Sequence, residues 1–402
     1  MRFLKFVLIA LIILRIPTVF SQLNQQIQVD VVYLASEELE GRATGTKGES
    51  LAASYIVSRM KSLGLKPGND GGWYQSFKIP ANPHMVNSAE LTGKNVIGYL
   101  DRKAKSSIII GAHYDHLGHG VVGSLAPNDH NTHNGADDNA SGVAAMLWIA
   151  EKLTQQKKLE HNIIFIAFSG EEYGLFGSKA YIENPTIPKE NISAMINMDM
   201  VGRLNAENVI AISGVGTSSK WNNVLQEIKP ADFTFNNSES GLGPSDHSSF
   251  YLKEIPVLHF FTGQHKDYHK PSDDSYLVNY EGIEKVANII YDIVVKIDPI
   301  KKIDFIKTKD QSKEMATDFK VTLGVMPDYV YNGNGMRIDA VLEGRAAMKA
   351  GMKDGDIIIH LAGEDIKDIH DYMKVLSENK KGDKVKAKVL RDGKEVELDV
   401  EF

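Results

Sequence analysis

Four short apolar segments, each ending in a cluster of acidic or histidine residues, constrain the fold of this 402-residue chain more than any other feature. The segments cover residues 107–112, 163–168, 194–198 and 255–261. Short, almost wholly apolar runs are typical of central strands buried on both faces of a sheet. Helical patterns over 141–153 and 282–297 alternate with them, so the sequence predicts an α/β fold with a mixed, largely parallel central sheet flanked by helices.

The first two polar clusters offer candidate site residues at the carboxyl edge of this sheet, where open α/β folds place their sites. His113 follows the first strand, and Asp115 lies close enough to accept the second ring N–H of a metal-bound imidazole. By itself such a histidine is more often structural. Asp137 and Asp138 precede the helix that starts near 141, where capping the helix requires only one of the two carboxylates.

Glu171 and Glu172 form the most informative pair. Two adjacent carboxylates just past a buried strand would raise one another's pKa unless a cation lies between them. Because adjacent side chains at a strand end diverge, one can bind a metal while the other faces a water as general base. A solvated acidic turn is the alternative, although apolar residues flank the pair on both sides. Asp199 and His269 add a carboxylate and an imidazole in the same setting.

The donor set of these clusters indicates a metal. The chain contains no cysteine, so a metal site must be built from histidine, aspartate and glutamate. Two histidines with three carboxylates suit zinc, with manganese or cobalt as substitutes. Five ligands exceed the need of one zinc ion, whereas two ions that share a bridging carboxylate use all five.

The N-terminus has the pattern of an export signal. Two basic residues precede an apolar stretch over 6–14, and Val19 and Ser21 suit a signal-peptidase site before Gln22. An uncleaved anchor is the alternative, but Arg15 interrupts the apolar run well short of the roughly 20 residues that span a bilayer. We therefore expect an exported protein, periplasmic or secreted, with no stable membrane span after cleavage.

Seven motifs, in order, resemble those of the secreted bacterial two-zinc aminopeptidases, whose wider family includes glutamate carboxypeptidases and single-zinc glutaminyl cyclases. The motifs are LASEELEGRATGTKG, HYDHLG, GADDNASG, SGEEYGLFGS, NMDMVG, SDHSSF and YHKPSDD. By position, the resemblance implies that His113 and Asp199 hold one zinc ion and that Glu172 and His269 hold the other. Asp138 would bridge the two ions.

The resemblance also implies the roles of residues that are not ligands. Glu171 would be the general base that takes a proton from the attacking water, and Asp115 would orient the neighbouring histidine. Tyr268 matches a tyrosine that stabilises the oxyanion of the tetrahedral intermediate in similar enzymes. An unusual cis peptide follows the bridging aspartate in the family, so it is expected between Asp138 and Asn139.

Other polar residues near the motifs are less informative. Asp246 and His247 of SDHSSF either shape the substrate pocket or serve in packing. His119, His130 and His133 lie in the long loop between the first two clusters. We expect them to serve that loop rather than a third metal, because they do not lie at strand ends.

The C-terminal part resembles the PDZ domains of exported bacterial proteases. A Leu-Gly loop is similar to the one whose backbone amides bind a peptide carboxylate, and a hairpin is expected to turn at Asp392 and Gly393. The loop residues are Thr322, Leu323, Gly324 and Val325. A charged segment without clear periodicity precedes this unit. The predicted organisation is a signal peptide (1–21), a zinc peptidase domain (22–298), a linker (299–318) and a small β-rich PDZ-like domain (319–402).

The predicted function is peptide-bond hydrolysis by a two-zinc aminopeptidase that acts on peptide or protein substrates, with a C-terminal peptide as a possible ligand of the PDZ-like domain. Glutaminyl-cyclase-like or carboxypeptidase-like activity on the same fold is an alternative. A non-catalytic peptide-binding protein is a further alternative, although all the candidate ligands and the base are intact. The net charge of -7 offers no basic surface for nucleic acid.

Overall fold

The computed structural model describes two sheets, one in each half of the chain. The described residues are 18–81, 89–120, 123–126, 128–308, 321–328, 331, 333–341 and 344–402. Within these residues the N-terminal part contains a nine-stranded mixed sheet, and the C-terminal part contains a six-stranded antiparallel sheet.

The large sheet has its predicted strands at its centre. Its strands are β1 (Lys66–Pro67), β2 (Tyr74–Ile79), β3 (Leu91–Leu100), β4 (Ser107–His113), β5 (Asn162–Phe168), β6 (Ile192–Met198), β7 (Val209–Ser213), β8 (Thr234–Ser238) and β9 (Val257–Phe261). Their order is β1-β3-β5-β4-β6-β9-β7-β8, with β2 paired to β3. Strands β5, β4, β6 and β9 are parallel to one another, so their carboxyl ends share one edge. Strand β9 begins two residues later than predicted, after Pro256, which lacks the N–H that a central strand donates.

Helices cover both faces of this sheet. They are α1 (Thr18–Leu34), α2 (Lys47–Ser62), α3 (Gly142–Gln155), α4 (Phe176–Glu183), α5 (Trp221–Ile228), α6 (His247–Tyr251) and α7 (Tyr280–Ile297). Strand β4 shows how the two layers arise, because successive side chains point to opposite faces. Ile108 and Ile110 pack in the core under α1, α2, α3 and α7, whereas Ile109 packs with residues of α4 and α6.

Helix α1 crosses the predicted cleavage site before Gln22. Ile27, Val31 and Leu34 recur at helical spacing and are buried in the core of the large sheet. Cleavage at that site would leave these three buried residues in the mature chain. Residues 1–17 of the predicted signal lie outside the described residues. In the parts of the chain that the structure describes, the helices lack the length and hydropathy to cross a bilayer.

The predicted linker starts too early. Residues 300–308 lie against the N-terminal domain, where Ile303 is buried in the core and the N–H of Ile306 donates to the carbonyl of Thr217 at 2.8 Å. Asp304 also accepts hydrogen bonds from the nearby Ser218 and Ser219. The prediction of a linker from 299 failed here because the segment is charged overall, which hides isoleucines that recur at every third residue. Residues 309–318 of the predicted linker lie outside the described residues.

The C-terminal sheet forms its own small domain. Its elements are β10 (Val325–Pro327), β11 (Met336–Val341), α8 (Ala346–Ala350), β12 (Ile357–Leu361), β13 (Glu364–Asp365), α9 (Ile369–Glu378), β14 (Lys384–Arg391) and β15 (Lys394–Glu401). A separate hydrophobic core includes Leu323, Ile338 and Leu361. The predicted hairpin is confirmed, since β14 pairs with β15 and both Asp392 and Gly393 have positive φ angles, of 51° and 74°.

Candidate metal centre

The predicted ligands meet at the carboxyl edge of the central strands. His113 is the last residue of β4, Glu171 and Glu172 follow β5, and Asp199 directly follows β6. Parallel pairing brings the carboxyl ends of these three strands together. The candidate ligand His269 comes from the longer loop after β9, where its φ of 54° is in the left-handed region.

Asp138 lies between two groups of ligand atoms. Its Oδ1 is 3.3 Å from Nε2 of His113, which is 3.2 Å from Oδ1 of Asp199. Its Oδ2 is 3.2 Å from Nε2 of His269, which is 3.2 Å from Oε2 of Glu172. The two oxygens of one carboxylate therefore face two separate imidazole–carboxylate pairs. A ligand that bridges two metal ions requires this arrangement.

A distorted turn before α3 presents Asp138. The peptide bond between Asp138 and Asn139 is cis, which confirms the expectation from the motif. The Asn139 amide donates to the carbonyl of Met198 at 3.0 Å, and its oxygen accepts from the N–H of Gly142. On the other side, the buried Asp273 accepts from the N–H of Asp138 at 3.0 Å. The backbone of the candidate bridging residue is thus held on both sides.

Asp115 lies beside His113, but its carboxylate is not the nearest acceptor for the ring. Nδ1 of His113 is 3.2 Å from the backbone oxygen of Asp115 and 3.8 Å from its Oδ1. The carboxylate instead accepts from Thr44 Oγ1 at 2.9 Å and from the N–H of Glu171 at 3.2 Å. Burial raises the pKa of Asp115 to about 7, against the effect of His113. Asp115 therefore orients the imidazole chiefly through its backbone, and its carboxylate ties two ligand-bearing turns together.

The two adjacent glutamates have pKa values that move in opposite directions. Burial raises the pKa of Glu171 well above its ordinary value, and Asp199 and Glu172 add to this despite the opposing effect of His113. Burial also acts to raise the pKa of Glu172, but the neighbouring His269, helped by hydrogen bonds, lowers it to about 2. Such a divergence separates a group that can accept and hold a proton from one that stays ionised.

Tyr268 lies directly beside a candidate ligand. Its ring stacks on that of His269 with the centroids 3.9 Å apart. Burial raises the pKa of Tyr268 well above its ordinary value, and the carboxylates of Asp138 and Glu172 add to the shift. The phenol therefore keeps its proton at neutral pH and can donate a hydrogen bond. Its contact with an oxyanion stays a prediction.

His116 is a site residue that sequence reasoning missed. It is fully buried, and its Nδ1 lies 2.8 Å from Oε1 of Glu172 and 3.9 Å from Oδ2 of Asp138. With these two carboxylates it forms one of the groups of possible ligand atoms that lie within 4.8 Å of one another in the described residues. Its place three residues after His113, in HYDHLG, was the available signal.

The SDHSSF motif lies close to the centre. Asp246 is fully buried, and burial raises its pKa to about 6 although the nearby His113 opposes the shift. His247 is also fully buried and stacks on His259 with the ring centroids 4.3 Å apart. The stacking of His247 shows a packing role for this motif, and a role in shaping the substrate pocket stays a prediction.

The loop histidines are consistent with a structural role. His133 is buried, its Nε2 lies 2.7 Å from Oγ of Ser124, and its Nδ1 lies 3.1 Å from a backbone oxygen of the same loop. His119 and His130 line an open surface cavity. Across the described ranges, neither belongs to a group of three possible ligands.

The Leu-Gly loop of the C-terminal domain is held by local hydrogen bonds and by a buried leucine. Leu323 is fully buried in the domain core, and its carbonyl accepts from the N–H of Ala347 at 2.8 Å. Gly324 has a φ of 72°, and its N–H donates to Oγ1 of Thr322 at 3.0 Å. Whether this loop holds a peptide stays a prediction.

Comparison with known proteins identifies both parts of the chain. Residues 95–294 match the sequence profile of Peptidase family M28, and residues 305–402 match that of the PDZ domain. This chain carries an M28 peptidase domain and a PDZ domain. The predicted family resemblance is thereby confirmed.

Relatives of the M28 domain include an aminopeptidase and proteins of the same fold with other activities. Aminopeptidase YwaD of Bacillus subtilis (strain 168) is 28% identical over 241 residues, which cover 56% of this chain and 49% of that protein. The chain spans about half the length of several curated relatives that it matches. The crystal structure of BSAP, a zinc aminopeptidase from Bacillus subtilis, gives a TM-score of 0.55 at 18% identity over 70% of this chain and 95% of that one.

The glutaminyl cyclase of Porphyromonas gingivalis gives a TM-score of 0.57 at 19% identity, over 68% of this chain and 98% of that one. These similarities confirm the predicted fold class. At 18% and 19% identity, what the chain shares with these two structures is the fold. The donor set of the M28 domain, with imidazoles and carboxylates within 4.8 Å of one another, fits zinc.

Proposed function

We propose that this chain is an exported two-zinc aminopeptidase that releases N-terminal residues from peptides. The position of Asp138 carries the proposal, because each of its carboxylate oxygens lies 3.2 or 3.3 Å from a different imidazole. The M28 domain and its similarity to an aminopeptidase support the peptidase activity. The signal-like N-terminus supports export.

The residues of the centre divide naturally between two ions. His113 and Asp199 would hold one, Glu172 and His269 would hold the other, and Asp138 would be shared. Zinc, when bound, supplies Lewis acidity that polarises the scissile carbonyl and lowers the pKa of the attacking water. The protein supplies the fixed geometry and moves the protons.

Glu171 is the base in this proposal. It directly precedes Glu172 but is absent from the four close imidazole–carboxylate contacts around Asp138. Its raised pKa suits a group that takes a proton from water and passes it to the leaving amine. Tyr268, which keeps its proton, would donate a hydrogen bond to the oxyanion that develops on the carbonyl.

A glutaminyl cyclase is the main alternative, because the same fold carries that activity in Porphyromonas gingivalis. A single-zinc site would leave His113 and Asp199 without a metal, although Nε2 of His113 lies within 3.3 Å of two carboxylates. A carboxypeptidase or a protein that acts only through its PDZ domain would also be consistent with the domain composition. The similarity to aminopeptidases favours release from the N-terminus over release from the C-terminus. A protein that acts only through its PDZ domain would leave the paired ligands around Asp138 without a role.

Metal analysis and substrate profiling together test the proposal. Purified full-length protein should contain two zinc ions per chain and should release residues from peptides with a free N-terminus but not from N-blocked peptides. One tightly bound ion with cyclisation of N-terminal glutamine would replace the proposal with the cyclase. Release from the C-terminus would indicate a carboxypeptidase. N-terminal sequencing of the protein from the periplasm or medium tests export, which predicts Gln22 as the first residue.

For the PDZ domain we propose binding of peptide C-termini at the Leu-Gly loop. Thr322 lines a cavity together with the exposed side chains of Arg345, Lys349 and Lys381. Five basic side chains line this cavity against the two acidic ones of Asp399 and Glu401, and the excess of positive charge would favour a terminal carboxylate. Capture of a substrate's C-terminus there would raise its local concentration near the M28 domain.

A further inference from the structure

Residues 41–44 lie against the turns of the metal centre but contribute no candidate ligand to it. This segment, Gly41 to Thr44, belongs to the LEGRATGTKG motif and precedes the part of the chain that matches the M28 profile. We call it the clamp segment. It contacts three turns that carry candidate ligands: 113–116 after β4, 134–138 before α3, and 169–172 after β5.

Arg42 is the centre of the clamp segment. Its side chain is fully buried, which is unusual for arginine, and it forms no ion pair within the described residues. Its donors go to backbone carbonyls instead. Nε donates to Tyr114 O at 2.8 Å, Nη1 to Asn134 O at 2.6 Å and to Leu34 O, and Nη2 to Gly135 O at 3.0 Å. One guanidinium therefore joins the turn of His113 to the turn of Asp138.

Thr44 adds the third turn. Its hydroxyl donates to Oδ2 of Asp115 at 2.9 Å and accepts from the N–H of Gly170 at 3.1 Å. Oδ1 of the same aspartate accepts from the N–H of Glu171. The hydroxyl is buried, with 1% of the residue exposed, so these contacts are not shared with bulk water. Thr44 therefore connects the turn after β4 to the turn that carries the base and a ligand.

The backbone of the clamp segment completes the connection. Gly41 has a φ of 65°, and a side chain there would lie only 2.5 Å from His133 O and 2.7 Å from Gly118 O. The carbonyls of Gly41 and Arg42 accept from the N–H groups of Gly118 and His116. Glycine is therefore required at position 41, because the backbone must pass close to these two carbonyls to bring Arg42 beside the metal centre.

We infer that the clamp segment is a positioning element, in which Arg42 and Thr44 hold the three ligand-bearing turns at the spacing that metal binding requires. The inference rests on the proposed function, since it concerns the same metal centre. A rigid planar fork suits this task, because one guanidinium can donate to several carbonyls in fixed directions whereas a lysine ammonium cannot. Residues that hold metal ligands in place without binding the metal commonly change metal affinity by about 10- to 100-fold.

Charge gives a second reason for arginine at this position. The centre assembles several carboxylates in a buried space. The positive charge of Arg42 interacts favourably with four of these carboxylates, those of Asp138, Asp115, Asp273 and Glu172. Burial lowers the pKa of Arg42 to about 10, which still leaves it charged at neutral pH. The guanidinium therefore offsets part of the repulsion among the ligands.

Zinc affinity, measured separately from activity, tests the inference. Zinc-free protein is titrated with zinc in competition with a chromogenic chelator for the wild type, Arg42→Lys, Thr44→Val and Thr44→Ser. We expect zinc affinity to fall by about 10- to 100-fold in Arg42→Lys and Thr44→Val. Thr44→Ser keeps the hydroxyl and should stay near the wild-type affinity. The kcat for a small amide should fall with little change in KM.

A matched control separates positioning from stability. Arg59 forms a largely buried pair with Asp30, at 2.7 Å, away from the centre. Arg59→Met should lower the Tm of the zinc-free protein and leave zinc affinity unchanged. The inference is overturned if it weakens zinc binding as much as Arg42→Lys does, or if folded Arg42→Lys and Thr44→Val bind zinc as the wild type does. If Arg42→Lys does not fold, Thr44→Val decides.

Failure of the proposed function gives a different result. Wild-type protein that binds no zinc would remove the proposed function and this inference together. Wild-type protein that binds zinc and hydrolyses peptides, with unchanged affinity in the folded variants, would remove this inference alone.

Discussion

The metal centre of the M28 domain and the Leu-Gly loop of the PDZ domain are both expected to bind a ligand, but they are built from different groups. The centre uses buried side chains, and the candidate bridge Asp138 is only 3% exposed. The loop offers backbone, with Leu323 turned into the core and Gly324 at a positive φ. Single side-chain substitutions should therefore have large effects at the centre and small effects at the loop.

The largest effect should follow Asp138→Asn, because both ligand pairs share this carboxylate. We expect kcat/KM to fall by about 10⁴-fold or more and zinc content to drop below two ions per chain. Asp137→Asn is the matched control: it is adjacent and buried, but its Oδ1 accepts from the N–H of Gly202. Metal analysis and steady-state kinetics check both. Retention of two tightly bound ions in Asp138→Asn would argue against a bridging role.

Glu171→Gln should have the next largest effect, and it should leave the metals in place. Removing the base without removing a ligand should lower kcat by about 10³-fold while zinc content remains at two. Glu172→Gln is the contrasting variant and should lose zinc, because Oε2 of Glu172 lies 3.2 Å from Nε2 of the candidate ligand His269. If zinc is lost from Glu171→Gln and kept in Glu172→Gln, the two roles have been assigned the wrong way round.

A smaller effect is expected at His116. Its Nδ1 lies 2.8 Å from Oε1 of Glu172. His116→Phe should therefore weaken binding of the zinc ion held by Glu172 and His269 by about 10-fold, and leave binding of the other ion nearly unchanged. His133→Phe is the control, since it removes a buried loop histidine that contacts Ser124. Stepwise competition with a chelator resolves the two ions. Equal weakening in the two variants would indicate a general loss of stability instead.

The strands, and the site residues that come soon after them, could be predicted because the local sequence pattern determines both. His113 directly follows one apolar run and Glu171 lies three residues past another, and parallel strands bring such positions to one edge. The contacts of Arg42 could not be predicted in this way. Three of the four carbonyls that accept from its side chain lie 72 to 93 residues along the chain, and no local pattern encodes such distant partners. The isoleucines after residue 299 were missed for a different reason, because the charged residues around them hid their regular spacing.

The smallest effects are expected when the PDZ domain is removed. Truncation after Asp310 keeps residues 300–308, which pack on the M28 domain, and it leaves every candidate zinc ligand in place. Hydrolysis of a short chromogenic amino-acid amide should therefore proceed at nearly the full-length rate. Loss of this activity would show that the M28 domain depends on the PDZ domain, contrary to the separate cores of the two sheets.

Long peptides should distinguish the loop from the centre. If the Leu-Gly loop captures a free C-terminus while the centre acts on the N-terminus, truncation should raise KM for long peptides several-fold and leave kcat unchanged. Amidation of the peptide C-terminus should raise KM equally in the intact enzyme, because backbone N–H groups would lose their carboxylate. Thr322→Ala should change KM less than truncation, since the loop would bind through its backbone. Unchanged KM after both truncation and amidation would exclude tethering by the PDZ domain.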